Sequence, residues 1–253
     1  MDVALEECAF HSTILNREQK VIFLHSEYFK SKGDDCSLLF VQDGEDYLQL
    51  GNLKEQFTEL LNQNISQFEN IAMILIPPGT SHERYQFYHP EGKHHIDYLL
   101  FFHQELLPFV ENNFTHQRKH ITKMGLLGDS LGATVGLALG LQQPSQWTHL
   151  LLQSTAIEEP LIQKIKEKAR TNWNVYQVYG VHEDGFQSQI SGKTLDITTN
   201  NRKLANAFQQ AETNLTYYEE DESHLWSFWK DDLKRALTYF AQQENKSEKR
   251  GIL

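Results

Sequence analysis

Cysteine is nearly missing from this 253-residue chain. Only Cys8 and Cys36 occur, too few for a disulfide scaffold or the usual structural zinc site, and the sparse use fits a reducing compartment. Proline is scarce too, at six residues. No Pro/Gly-rich break, low-complexity linker or internal repeat divides the sequence, so 1–253 is expected to be a single domain with the last ~10 residues frayed. No apolar run reaches the roughly 18 residues that a membrane span needs. Positive charge is in deficit: Lys plus Arg number 23 against 34 Asp plus Glu, a net charge of −11. A chain this acidic opposes a phosphate backbone, and its richest basic stretch, Lys246 to Arg250, sits at the C-terminal end. Neither a nucleic-acid nor a membrane partner is expected. Residues Met1 to Glu7 carry acids where a secretion signal needs a basic patch, so the expected location is cytoplasmic.

What is present is a folding composition, with 40% hydrophobic residues, enough to separate it from disordered chains. Strands are predicted at Lys20–His25, Ser37–Val41, Ile71–Ile76, Lys123–Leu127, His149–Gln153, Val175–Tyr179 and Leu215–Glu219. Several are continuous apolar runs, as expected for strands covered on both faces of a parallel sheet. Helices are predicted at Asn52–Leu61, Asp97–Phe109, Leu131–Leu141, Glu158–Arg170, Arg202–Ala211 and Phe228–Phe240. The residues before Val21 alternate weakly and suggest an antiparallel edge hairpin. The fold class is therefore α/β: one mostly parallel sheet with helices on both faces and an antiparallel N-terminal edge.

The most informative residues are Gly128-Asp129-Ser130-Leu131-Gly132. They match G-x-S-x-G, lying between a predicted strand and a predicted helix. That is the setting of a nucleophile elbow, a tight turn that aims the Ser130 hydroxyl out of the sheet edge. The glycines fit where strand and helix leave no room for a Cβ. Small residues through Gly140 (Gly132, Ala133, Gly136, Ala138) are expected to let the helix press on the sheet. A helix N-terminus also directs positive charge at an oxyanion formed there.

A serine hydroxyl needs a base in hydrogen-bond reach, and the base needs an orienting acid. In this class of site the acid and then the histidine follow the serine in the chain. Of His149, His182 and His224, the first leads an apolar strand and the second sits beside the candidate acids. His224 follows a strand and precedes the last helix, where the base belongs. The acid should lie just past Val175–Tyr179; Glu183 leads, Asp184 is the alternative, and Asp196 is a weaker third.

Four blocks carry a wider likeness. They are Leu38-Leu39-Phe40-Val41-Gln42-Asp43-Gly44-Glu45-Asp46-Tyr47; Ile74-Leu75-Ile76-Pro77-Pro78-Gly79 with Arg84-Tyr85 and Tyr88-His89-Pro90; the elbow with Gln153-Ser154; and His224-Leu225-Trp226-Ser227-Phe228-Trp229. In this order, and with the Gly180-x-x-Glu183 turn, the chain resembles the esterase family that includes esterase D, enterochelin esterase and related siderophore trilactone hydrolases, with the mycolyl-transferring antigen 85 proteins as distant kin. The resemblance implies an α/β-hydrolase fold and a triad of Ser130, Glu183 and His224. It implies an oxyanion hole built from the backbone N–H groups of Leu131 and Glu45. It also suggests Arg84 as a substrate-lining residue, although a surface salt bridge explains an arginine there equally well. Trp226 lies close to the base and is a second lining candidate. The chain departs from the family in its acidic Glu220-Asp221-Glu222-Ser223 loop before the histidine, where relatives are often glycine-rich.

The function these residues imply is hydrolysis of small carboxylic esters through an acyl-enzyme, with no cofactor and no metal. Histidines recur from His82 to His120 but lack a ligand pattern such as H-E-x-x-H. Tyr85, Phe87 and Tyr88 suit either a pocket lining or loop packing. A siderophore trilactone esterase or an acyltransferase would share the same intermediate. A non-catalytic binding module on the same scaffold is the rival from another class. The N-terminal edge is open to pairing in a homodimer.

Overall fold

In a strand covered on both sides, alternate side chains must feed different cores. The Ile71–Ile76 run does so: Ala72, Ile74 and Ile76 pack into one apolar cluster, while Ile71, Met73 and Leu75 pack into the other. The computed structural model describes residues 2–30, 35–116, 119–167, 172–188 and 191–242; the C-terminal stretch expected to fray, and the basic run within it, lie outside them.

Among the described residues, eight strands form the main sheet: β1 (Val3–Ser12), β2 (Arg17–Ser26), β3 (Asp35–Gln42), β4 (Ile71–Ile76), β5 (His120–Asp129), β6 (His149–Gln153), β7 (Asn174–Gly180) and, after a small β8–β9 hairpin (Phe186–Gln187 and Thr194–Leu195), β10 (Asn214–Glu220). Their spatial order is β1-β2-β4-β3-β5-β6-β7-β10. The β1–β2 and β2–β4 pairs are antiparallel and the remaining pairs are parallel. The antiparallel N-terminal edge and the parallel body agree with the sequence pattern.

Helices cover both faces. On one lie α4 (Ser81–Tyr88), α5 (His95–Phe101), α6 (Leu107–His116), α7 (Ser130–Gln142), α8 (Glu159–Glu167) and α9 (Ile197–Gln210). On the other lie α1 (Gly44–Gln49), α2 (Leu53–Gln63), α3 (Ile65–Phe68) and α10 (Trp226–Gln242). The predicted Asp97–Phe109 helix is three joined pieces, because residues Phe102–Leu106 wind as a π-turn between α5 and α6. Pro108 lies two residues on, in the first turn of α6, and a proline denies its helix an N–H and crowds the carbonyl four residues back. Helix α7 is buried nearly all round, as its unbroken apolar composition requires. Its glycines do not all serve close approach: a Cβ on Gly136 would meet only Leu126 Cβ, at 3.8 Å, an ordinary contact.

The strand order reverses between β3 and β5. From β3 the chain crosses to β4 on one side, and from β5 it crosses to β6 on the other. Beyond the carboxyl ends of two such strands the connections diverge and leave a crevice, the usual ligand site of an open α/β sheet. Here β3 ends at Gln42 and β5 ends at Asp129.

Candidate active site

Ser130 is the first residue of α7 and holds a left-handed backbone at φ 48°. A non-glycine residue in that region carries strain of roughly 1–3 kcal/mol, which the surrounding packing must hold in place. The packing is tight enough. A Cβ on Gly128 would come within 2.4 Å of the Gly132 backbone, and one on Gly132 within 2.7 Å of Asp43 Oδ2. The two glycines of the pentapeptide are therefore required sterically, one by the turn itself and one by the neighbouring Asp43 carboxylate.

The His224 Nε2 lies 2.9 Å from Ser130 Oγ. The side chain is 4% exposed and its ring is held between Phe186, at 4.4 Å between ring centroids, and the perpendicular indole of Trp229, at 4.8 Å. The acidic loop that brings His224 there is zipped to the turn after β7. Val181 N–H donates to the Glu220 carbonyl and His182 N–H to the Glu222 carbonyl. Backbone bonding thus fixes the path of the loop, while the Glu220 side chain pairs with Arg235 at 2.7 Å.

Of the candidate acids, Glu183 is the one beside His224. Its Oε1 lies 3.6 Å from His224 Nδ1, and both side chains are almost fully buried. That separation is within ion-pair reach and longer than a hydrogen bond. His224 Nδ1 and Glu183 Oε2 have no hydrogen-bond partner among the described residues, an arrangement of the kind that tightens when substrate arrives. Asp184 turns away to the start of α9, where it accepts from the Thr199 N–H and hydroxyl. Asp196 is the cap residue of that same helix and accepts from the Gly185 N–H. His182 is exposed and pairs with Asp221 at 2.7 Å. His149 is fully buried in β6 against Tyr239 and Phe240.

Ser154 completes the cluster. Its hydroxyl donates to Glu183 Oε1 at 2.7 Å and accepts from the Trp229 indole N–H at 2.9 Å. It too sits at positive φ, 47°, and is fully buried. The sequence held a signal for Ser154 only as part of the Gln153-Ser154 block, with no role attached. Its function depends on a contact across 29 residues that no local pattern encodes.

Leu131 and Glu45 occupy equivalent places. Each is the second residue of a helix, α7 or α1, that starts directly beyond one of the two strands at the crevice. First-turn N–H groups have no partner inside their own helix, so both are available donors at this end of the sheet. The Glu45 carboxylate instead reaches outward to Lys20 Nζ at 3.1 Å.

The Arg84 salt bridge is buried, not superficial. Its guanidinium clasps Asp43 through Nε to Oδ1 at 2.8 Å and NH2 to Oδ2 at 2.7 Å, and NH2 lies 3.8 Å from Asp129 Oδ2. Burial pulls the arginine pKa down, and the Asp43 charge more than offsets that. Burial, then repulsion from Asp43, pushes the Asp129 carboxyl well above the usual range. Arg84 therefore anchors the Asp43 turn that leads into α1 and Glu45, and it also lines the cavity over Ser130. That cavity is about 340 Å³ and includes Phe186, His224, Leu225 and Trp226 on its walls. Trp226 packs edge-on against Trp229 and Tyr47. Phe87 and Tyr88 are core residues, while Tyr85 stacks on His89 at 4.7 Å. Among the described residues no group of three or more His, Cys, Asp or Glu could hold a metal ion, and no helix is long and apolar enough to cross a membrane.

A mostly parallel sheet covered on both faces, with a serine on a strained turn at the switch point, defines an α/β hydrolase. Comparison with known proteins carries this further. Residues 12–240 match the family model described as "Putative esterase", and the chain belongs to that esterase family of hydrolases. It is 29% identical over 236 residues to the uncharacterized protein YjcH of Bacillus subtilis (strain 168), covering 92% of this chain and 95% of the relative. Among solved structures it is similar to the enterochelin esterase of Shigella flexneri (TM-score 0.75, 19% identity, 94% of this chain), of which it spans 58%. It is similar as well to the BES protein of Bacillus cereus (TM-score 0.71, 17% identity, 94% of this chain and 95% of that one). At these identities the structural likenesses speak for the fold.

Proposed function

We propose that this chain is a serine esterase that cleaves small carboxylic esters through an acyl-enzyme on Ser130. The observation that carries the proposal is the 2.9 Å approach of His224 Nε2 to a serine oxygen on a strained turn, with a buried carboxylate at the far side of the ring. In this reading His224 takes the Ser130 proton as Oγ bonds to the ester carbonyl carbon. The resulting oxyanion lies against the N–H groups of Leu131 and Glu45, donors already fixed before the reaction. His224 then gives its proton to the alkoxy oxygen as the carbon–oxygen bond breaks and the alcohol leaves. A water molecule repeats the sequence, frees the acid and returns the proton to Ser130. Glu183 keeps the imidazole oriented and stabilises its charged form.

Transfer of the acyl group to another alcohol would use the same intermediate, and nothing in the cavity walls favours it over water. The likeness to enterochelin esterase, at 19% identity, does not bring a trilactone substrate with it. The test is turnover of p-nitrophenyl acetate and butyrate together with labelling by a fluorophosphonate probe. The wild-type chain should hydrolyse the esters and take the label. Ser130→Ala should lose both, with kcat/KM down by about 10⁴-fold or more. Wild-type turnover retained in Ser130→Ala would overturn the serine mechanism, and a chain that takes no label and turns over no ester would point to the binding module.

A further inference from the structure

A second cavity, larger than the one over Ser130, opens beside it. It measures about 770 Å³ against about 340 Å³. The two share His89, Ala156 and Glu158 as a common lip, so a molecule seated at Ser130 can extend from one into the other. The larger cavity is a groove between α5 and α8, floored by Thr134, Ala138 and Leu141 of α7. Those three residues are spaced to lie on one helix face. The groove follows α7 away from Ser130 over eleven residues to Leu141, about 16 Å at the helical rise.

Its apolar lining comes from three helices, with His95, Lys164 and Glu167 also on its walls. Leu99 comes from α5, Ala138 and Leu141 from α7, and Leu161 from α8, while Ile96 stands at the mouth with 64% of its surface exposed. The Thr134 hydroxyl is already bonded to the Ala156 carbonyl at 2.7 Å, so it offers the groove no free donor. At the rim, Lys193 Nζ pairs with Glu91 at 2.8 Å and with Glu158 at 3.6 Å, which compensates the two carboxylates nearest the lip.

The groove does not border the base. His224, Leu225, Trp226 and Trp229 line the smaller cavity and none of them lines the larger one. A base that must protonate the departing alcohol has to stand next to that alcohol's oxygen. The alcohol arm therefore belongs on the His224 side, and the opposite arm of the ester faces the groove.

We propose that the α5–α7–α8 groove is the acyl compartment, and that the substrates are esters of an uncharged apolar acyl group, alkyl or aryl, of medium length. This rests on the acyl-enzyme reading of Ser130. The experiment compares p-nitrophenyl acetate with p-nitrophenyl octanoate in the wild-type chain, in Ala138→Phe, which fills the floor, and in Ile96→Asp, which places a charge at the exposed mouth. The expected wild-type result is a kcat/KM at least tenfold higher for octanoate. Ala138→Phe should lower the octanoate-to-acetate ratio at least tenfold, and Ile96→Asp at least threefold. The second variant decides the matter if the first does not fold, because its site is on the surface. A ratio unmoved in a folded variant overturns the proposal. So does a wild-type chain that prefers acetate, or one whose selectivity follows the size of the alcohol in a series of acetate esters. Loss of all turnover in Ser130→Ala alongside a flat acyl profile would remove the groove assignment alone and leave the serine mechanism standing.

Discussion

Ser154 adopts a backbone conformation that serine avoids, in a place with no solvent and no room, and its hydroxyl is spent on Glu183 and Trp229. A hydrogen bond to a charged group contributes roughly 1.5–3 kcal/mol, so the carboxylate beside His224 depends on this contact for its orientation. In Ser154→Ala, kcat should fall about ten- to a hundredfold by that magnitude while KM stays near the wild-type value. Ser154→Gly relieves the φ strain and removes the same hydroxyl, so it should show the same kcat loss with a higher melting temperature than Ser154→Ala. A KM rise with unchanged kcat in both variants would assign Ser154 to substrate binding instead. The candidate acids show how far single residues could be read. Glu183 and Asp184 are adjacent and chemically alike, so sequence leaves both open. They separate in space because successive residues after β7 face opposite ways, one toward His224 and the other toward the first turn of α9.

At the scale of elements, the site is two strand–turn–helix units side by side. β3 leads to α1 and β5 leads to α7, and each turn holds a residue with left-handed backbone, Asp43 at φ 55° and Ser130 at φ 48°. The second unit announced itself through its glycines. The first was legible only as an Asp-Gly turn after a strand, because α1 is six residues long and too short for a periodic pattern. Helix α4 was missed for a similar reason, although Thr80 and Glu83 form a capping box at its start. Its pattern is weak because Arg84, an inward residue, is charged and satisfied by Asp43. The elbow is the least forgiving of these elements. Gly128→Ala drives a Cβ into backbone that cannot swing aside and should destabilise the fold by about 1–3 kcal/mol. Thermal melting should show a loss of roughly 2–12 °C, at about 2–4 °C per kcal/mol for a chain of this size. Gly136→Ala, whose Cβ would make only an ordinary contact with Leu126 at 3.8 Å, should melt at or above the wild-type temperature, since alanine is the better helix former.

The whole molecule buries imidazoles that its surface charge does not help. Burial pushes the His149 pKa down to about 3, and lowers His89, His95 and His103 as well. A histidine that stays neutral when folded but takes a proton near pH 6.5 when unfolded means that the unfolded chain binds more protons below that pH. For His149 stability is then fully present above about pH 6.5 and falls as the pH drops toward 3, by about 1.4 kcal/mol per pH unit; His89, His95 and His103 act in the same direction. Urea midpoints measured from pH 7 to pH 4 should fall accordingly, and His149→Leu should flatten the slope; an unchanged slope would show that His149 is not the group that titrates. The amino-acid sequence by itself determined the fold class, because continuous apolar runs can be satisfied only by a sheet covered on both faces, and it determined the elbow, because the constraint on Gly128 comes from the turn's own backbone. Only the tertiary structure decided which carboxylate meets His224, what holds it there, that Arg84 is tied to Asp43 inside the protein, and where a second cavity opens beside Ser130. Those depend on distances between segments far apart in the chain, which are set by how the layers pack and not by any pattern along it.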